Sequence, residues 1–270
     1  MQIPAFKLER YFARYEFNIE HLLCASDCES LAIQDLLALE PDAAERFHRH
    51  WLGYTESMGK PSLRKEICRL YHDIHPNQVL VHTGAEEAIF LFMHAVLNAK
   101  DHVIVQSPCY QSLAEIARSI GCRVSWWNVH EDNGWALDID ELKHSIQSDT
   151  RAIIINTPHN PTGYLMPSEL FQMVNRIARE NGIILFSDEV YRESEYQKED
   201  RLPAACELGE HSVSLGVMSK TYGLPGLRIG WIATQNEAVY NGMAALKDYT
   251  TICNSAPSEF LAELALRHRE

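Results

Sequence analysis

From about residue 78 onward the chain alternates between two hydrophobic rhythms. Short, nearly unbroken apolar runs (QVLVHTG, HVIVQSP, CRVSWWNV, AIIINTP, IILFSDEVY and HSVSLGVMS) are separated by longer segments whose apolar positions recur every three or four residues. In AEEAIFLFMHAVLN these positions are Ala88, Ile89, Phe92, Met93, Val96 and Leu97, the spacing of one helix face. LAEIARSIG, DELKHSIQ and SELFQMVNRIAREN read likewise as helices, the last stopped by Gly182. A strand that is apolar throughout, and not at every second position, is covered on both faces. Strands and helices alternating through connections of a few residues supply that covering. The expected fold class is therefore α/β, a mostly parallel sheet with helices on both faces.

Ahead of this rhythm, residues 1–30 mix aromatic and charged positions (KLERYFARYEF) without a core period, in the manner of an arm or a small packing element. Residues 31–50 read as helical with a break at Pro41. Gly53 to Pro61 reads as a loop, and SLRKEICRLYHDI as a helix capped by Ser62. No internal repeat, low-complexity stretch or linker divides the chain.

Composition narrows the possibilities. Of 270 residues 46% are apolar, ample for a large core, and 24 Lys plus Arg stand against 37 Asp plus Glu, a formal charge of −13. An acidic chain repels phosphate backbones, so no nucleic-acid partner is expected. No apolar run reaches the length of a membrane span, so no membrane partner is expected either. The seven cysteines are odd in number, form no CxxC pair and follow no leader-like N-terminus. They read as reduced, mostly buried thiols of a cytoplasmic protein. His48 and His50 diverge on a helix, and His72 with His75 meets Pro76 and no completing ligand, so no metal is expected.

In sheets of this kind ligands bind outside the carboxyl ends of the strands. Five polar sets follow strand-like runs: Thr83-Gly84-Ala85-Glu86, Ser107-Pro108-Cys109-Tyr110, Asn156 to Gly163, Asp188 to Tyr191, and Ser219-Lys220. The first lies where a strand turns into a helix and offers free amide N–H groups to an anion, or is an ordinary tight turn. Neither GxGxxG nor GxxxxGK[ST] is present. The second ends in an aromatic, Tyr110, and Asn160-Pro161-Thr162-Gly163 is a turn by composition. Asp188 falls at a buried strand end and needs a cationic or N–H partner, unless it serves as a cap or in a structural salt bridge. In MSKTYGLPGLRIGW the Gly-Leu-Pro-Gly breaker excludes a regular helix between Lys220 and Arg228, and no acid in the stretch neutralises them. A lysine buried at a strand end has its charged form disfavoured and suits a nucleophile. A planar, always charged arginine suits a phosphate. Together with the phenol of Tyr191, these are the parts needed to hold pyridoxal phosphate.

SKTYGLPGLRIGW resembles the lysine signature of fold-type I pyridoxal-phosphate enzymes, in the class I/II aminotransferase family. NTPHNPTG, FSDEVYRE, TGAEEAIFLF with SPCYQSL, and YTESMGKPSLRKEI resemble its other motifs, in family order from residue 54 to about 231. SAPSEFLAELAL resembles a later segment more weakly. The resemblance implies an amino-group transfer between an amino acid and a 2-oxo acid. In it Lys220 carries the cofactor covalently and then moves a proton between the substrate Cα and the cofactor. Asp188 pairs with the pyridine N–H, Tyr191 and Asn160 bond the phenolic oxygen, and Tyr110 stacks on the ring. The phosphate is held by Arg228, the Ser219 hydroxyl and the Gly84 turn with the amides of Ala85 and Glu86. Tyr54 reaches the phosphate of a neighbouring subunit, which implies a homodimer. Asp27, Cys28 and Tyr191 approach the substrate. The same parts would serve a decarboxylase, a β-eliminating lyase or a cyclising synthase, or a truncated cofactor-binding protein without activity.

The chain departs from the family pattern in two places. Val217 stands where the family has a small residue, often a serine on the phosphate, a loss of about 1 kcal/mol. The chain also stops within the helical pattern LAELALRHRE, and no residue matches the arginine that the family uses for the substrate α-carboxylate. The expectation is a missing or truncated C-terminal small domain. Residues 1–40 then read as an N-terminal arm or small-domain segment, and 41–270 as the cofactor-binding large domain.

Overall fold

The computed structural model of the chain describes residues 2–269. Seven strands form one sheet in the order β1-β7-β6-β5-β4-β2-β3. They are β1 (Val79–His82), β2 (His102–Ser107), β3 (Arg123–Asn128), β4 (Thr150–Asn156), β5 (Ile184–Asp188), β6 (Ser212–Val217) and β7 (Gly230–Thr234). The pairs from β3 through β6 are parallel, and β7 alone is antiparallel, to β1 on one side and β6 on the other. The mostly parallel α/β sheet expected from the apolar runs is the observed one.

Alternate residues of each strand serve opposite faces, which is why the runs are apolar throughout. Leu80, Val103, Val105, Ile154, Phe186, Leu215 and Ile232 face a layer made by α5 (Gly84–Val96), α6 (Ser112–Ile120) and α9 (Glu237–Lys247). On the other face, Val79, Val81, Trp231 and Ala233 pack under α4 (Pro61–Cys68) and α10 (Ala256–Arg267). Ile104, Ile153, Ile155 and Leu185 pack under α7 (Ile139–Ser145) and α8 (Ser168–Glu180). The short helices α2 (Ile33–Leu37) and α3 (Ala43–His48) flank α10 through Leu36 and Phe47. Helix α1 (Lys7–Tyr15) buries none of its residues in this chain. Its approach is fixed by polar bonds, Lys7 N–H to Gln111 Oε1 at 3.0 Å and Gln111 Nε2 to the Ala5 carbonyl at 3.1 Å.

Two sequence expectations need correction. Ser62 does not cap α4: Pro61 takes the first helical position, where its fixed φ suits the helix and its missing N–H costs nothing. The Ser62 hydroxyl donates instead to Glu263 Oε2 of α10 at 2.7 Å, beside Lys60 Nζ at 2.8 Å. The helix also ends at Cys68, well short of the expected run. Nor are the thiols mostly buried: Cys122 and Cys206 are, Cys24 and Cys28 are exposed, and Cys68, Cys109 and Cys253 lie between.

A buried polar network fixes the loop before α4. Lys247 is 1% exposed, and its ammonium donates to the Ser57 carbonyl at 2.6 Å and the Ile252 carbonyl at 3.3 Å. Burial lowers its pKa, so these acceptors are needed to offset lost hydration. Glu259, fully buried, accepts from Asn254 Nδ2 at 2.8 Å and from Lys60 N–H at 3.2 Å.

The reversed strand β7 brings its first residue to the carboxyl edge of the sheet. Gly230 is paired with His82 on one side and Val217 on the other. A Cβ at Gly230 would stand 2.8 Å from Gly84 C and 2.9 Å from Ala85 N, both backbone atoms at the start of α5. Neither can move without shifting the helix. Gly230→Ala is expected to cost about 1–3 kcal/mol, the usual penalty of overpacking, read as a lower urea midpoint with an unchanged slope.

Candidate active site

The polar sets singled out from the sequence converge at this carboxyl edge. Asn156 and Asp188, the last residues of β4 and β5, are register partners. Asn156 Nδ2 donates to the Asp188 carbonyl at 2.9 Å, and Asn156 Oδ1 accepts from Asn160 N–H at 2.7 Å. The Asn160 turn is thereby tied to the end of β5, where Asn160 Nδ2 donates to the Tyr191 hydroxyl at 3.2 Å. His159, 3% exposed, joins this turn to the loop carrying Tyr110. Its Nε2 lies 2.8 Å from the Pro108 carbonyl and its Nδ1 2.7 Å from the Thr162 hydroxyl. A carbonyl only accepts, so the proton sits on Nε2 and Nδ1 accepts from Thr162. Burial lowers the His159 pKa, in keeping with this neutral form. The sequence reading did not single out Asn156 or His159 as organisers, although both lie inside NTPHNPTG.

Asp188 is 4% exposed. Its carboxylate accepts from Val190 N–H at 3.2 Å, and no cation comes within 4 Å of it among the described residues. Burial pushes its pKa up to about 7, against the smaller effect of that N–H bond. Tyr110 is half-buried; its ring lies 4.9 Å from that of Phe6, and its hydroxyl donates to Glu9 Oε1 at 3.2 Å. Burial raises its pKa, helped by the Glu86 and Glu9 carboxylates. The neighbouring Cys109 thiol is pushed up to about 12 by burial, too high for a thiolate nucleophile.

At the other end stands the first turn of α5. Gly84 has φ +78°, and a Cβ there would meet Arg228 Nη2 at 2.6 Å, so the guanidinium lies directly against the turn. Arg228 itself is left-handed at φ 51° and two residues ahead of β7, which is how an antiparallel strand delivers it to this edge. Its Nη1 donates to the Pro225 carbonyl at 3.1 Å. Ser219, two residues past the end of β6, is buried. Glu86 accepts from the Ser112 hydroxyl at 3.1 Å, and burial raises its pKa. Val217 is in the core on the α5 face, consistent with its apolar side chain.

Lys220 corrects the sequence reading. It is not buried: its side chain is 25% exposed, because the loop after β6 lifts it clear of the sheet. Nor is it without an acid. Asp27 Oδ1 lies 2.8 Å from its Nζ and Ser26 Oγ 3.2 Å, with the Tyr191 ring centroid at 5.9 Å. The acid is absent from the local stretch because it comes from 193 positions away. Tyr54 is not brought to the others within this chain; it stands 86% exposed.

These residues fit pyridoxal phosphate. A buried carboxylate with one N–H partner calls for a cationic N–H, the Gly84 turn with Arg228 forms a cradle for an anion, and an amine and two hydrogen-bonding groups lie between them.

Comparison with known proteins gives the family of the chain. The family model described as "Aminotransferase class I and II" matches residues 20–269. The capreomycidine synthase of Streptomyces vinaceus is 27% identical over 99% of this chain and 69% of its own length. A glutamate-pyruvate aminotransferase of Haemophilus influenzae is 34% identical over 67% of this chain and 46% of its own. Among solved structures, a PLP-dependent aminotransferase from Streptococcus suis superposes with a TM-score of 0.93 at 33% identity, covering 100% of this chain and 72% of that one. The chain thus spans from under half to about seven-tenths of the length of these relatives.

The burial of Asp188 has a measurable consequence. Its folded pKa of about 7 lies above the ordinary aspartate value of 3.8, so both states hold the proton below about pH 4 and the folded state alone holds it above that. Stability is lost as pH rises through this window, by about 1.4 kcal/mol for each unit of separation. Without cofactor, Asp188→Asn should therefore gain on the parent in urea denaturation from pH 4 to pH 7 and gain no more beyond. Parallel stability curves for the two proteins would refute the assignment.

Proposed function

Since the chain belongs to the aminotransferase class I and II family, whose members depend on pyridoxal phosphate, we propose that it transfers an amino group between an amino acid and a 2-oxo acid. The observation that carries the reading is Asp188, a carboxylate buried at a strand end with a single N–H partner and no cation within 4 Å among the described residues. Arg228 and the amides of the Gly84, Ala85 and Glu86 turn hold the phosphate, with Ser219 beside them. Asp188 holds a proton at the ring nitrogen. Asn160 and Tyr191 hydrogen-bond the ring oxygen, and Tyr110 covers one ring face. The bound cofactor supplies an electron sink for the pair released at the substrate Cα. Lys220 leaves the ion pair with Asp27, anchors the cofactor, and afterwards takes and returns the Cα proton as general base.

The working unit is a homodimer in which Tyr54 reaches the partner's phosphate. Supporting this, Tyr54 is exposed beside Trp51 and Leu52, 78% and 77% exposed, on a segment anchored through Ser57 and Lys247. Residues 1–40 act as an arm ahead of a large domain over 41–270, a division suited to α1 burying nothing in its own chain. Seven unpaired thiols suit a reducing compartment such as the cytoplasm.

The purified chain mixed with pyridoxal phosphate should show a visible band that borohydride fixes covalently, absent from Lys220→Ala. Arg228→Ala should keep the band but weaken cofactor binding roughly ten- to a hundredfold, the loss of one charge-assisted bond. Adding an amino acid should change the band and release its 2-oxo acid. Because one relative is named a synthase, carbon dioxide, ammonia and cyclised product are measured alongside; any of these in place of the oxo acid would shift the reading to another pyridoxal-phosphate reaction.

A further inference from the structure

We propose that Ser26 is a positioning residue for the reaction: its hydroxyl holds the Tyr191 hydroxyl so that the phenol proton is left to point into the site. This deepens the reading of Tyr191 as a partner of the cofactor's ring oxygen, and rests on it.

A phenol oxygen carries one proton and two acceptor positions. Asn160 Nδ2 donates to the Tyr191 oxygen at 3.2 Å and occupies one of them. Ser26 hydrogen-bonds the same phenol. Its Oγ also lies 3.2 Å from Lys220 Nζ, and an ammonium only donates, so Ser26 accepts there and keeps its own proton to give. Given to Tyr191, that proton fills the second acceptor position. The phenol proton then has no acceptor among the described residues and is available to a group in the site. Burial raises the Tyr191 pKa, and the Ser26 bond works against that rise, the sign of a donor to the phenol oxygen. The charges facing the phenol are Lys220, Asp188 and Asp27.

The chain around Ser26 is seated by a glycine. Residues 26–29 lie outside any helix or strand. Gly223, at φ +61°, comes so close to them that a Cβ there would stand 2.7 Å from the Glu29 carbonyl oxygen and 3.9 Å from Cys28 Cβ. The Gly223 N–H bonds the Lys220 carbonyl at 2.9 Å, so the turn that carries Lys220 also carries this seat. Ser26 is exposed, and water competes for its place. A hydroxyl already fixed by the chain supplies the same donor without the cost of immobilising a water. The Ser26–Tyr191 bond does not pass through the Lys220 nitrogen, so it does not depend on whether that nitrogen carries the cofactor. A phenol that donates to the ring oxygen favours that oxygen without its proton. The pH at which the loaded chain changes colour is thereby held down.

The test follows the visible band of the chain loaded with pyridoxal phosphate against pH, and the binding of pyridoxal phosphate by calorimetry. The parent is set beside Ser26→Ala, Ser26→Thr, Tyr191→Phe and the double variant Ser26→Ala with Tyr191→Phe. Ser26→Ala should raise the pH midpoint of the band by roughly 0.4–1 unit, the weight of one hydrogen bond. It should weaken cofactor binding roughly two- to tenfold. Ser26→Thr keeps the hydroxyl and should return both readings to those of the parent. Because Ser26 also touches Lys220, the double variant decides the route: with Tyr191→Phe already in place, Ser26→Ala should change neither reading. A shift that persists in that background would mean that Ser26 acts through Lys220, and would overturn the proposal. So would a midpoint that Tyr191→Phe moves and Ser26→Ala does not. A midpoint that Tyr191→Phe itself leaves in place would remove the reading of Tyr191, and the proposal with it. A merely structural Ser26 would lower the urea midpoint of the cofactor-free chain and leave the pH midpoint where it was.

Discussion

The side-chain amide of Asn156 ties the Asn160 turn to the end of β5. Its nitrogen bonds the Asp188 carbonyl and its oxygen bonds the Asn160 amide. Being 3% exposed, it must satisfy both ends of its amide or lose a desolvation penalty of about 1–3 kcal/mol. From that pair the rest follows. Asn160 is set where it reaches Tyr191, and the turn is set where His159 reaches back to the Pro108 carbonyl. The carboxylate, the phenol and the ring of Tyr110 thus hang on one framework of neutral hydrogen bonds, with no ion pair in it. Such a framework keeps its geometry when the salt concentration changes.

Strand direction does comparable work at the anion end. Parallel strands deliver their last residues to the edge, but an arginine placed after such a strand would have to compete for space with the loops leaving it. Reversing β7 supplies Arg228 from the beginning of a strand instead, and the absence of a side chain at Gly230 lets that strand approach the first turn of α5. The guanidinium and the helix amides meet because two glycines permit it.

Much of this was legible in the sequence, for identifiable reasons. Apolar runs and three-to-four periodicity revealed β1 to β6 and the helices between them, because burial on both faces leaves no ambiguity in such segments. β7 escaped notice: five residues beginning with glycine carry too little pattern, and Gly242 interrupts the helical pattern of α9 behind it. The strand-end rule found Asp188, Asn160 and Tyr191, and the Gly-Leu-Pro-Gly breaker between two unneutralised cations drew attention to Arg228. The expected burial of Lys220 failed for a physical reason. A residue three positions beyond a strand is no longer governed by the strand, and its partner Asp27 belongs to a polar segment with no periodicity to locate it. Ser62 misled for a similar reason, since its hydroxyl was claimed by a glutamate two hundred positions away, and Pro61 needed no cap.

The N-terminal residues touch the site from two directions, at Tyr110 through Phe6 and Glu9 and at Lys220 through Asp27. Their partners lie one hundred to almost two hundred positions further along the chain. During synthesis these residues leave the ribosome ahead of their partners: Phe6 and Glu9 have nothing to dock against until Tyr110 is made, and Asp27 nothing until Lys220 is made. Contacts of such sequence separation are slow to close and close late. The pocket is therefore completed from the sheet outward and covered afterwards, and there is an interval in biogenesis when it stands open from above.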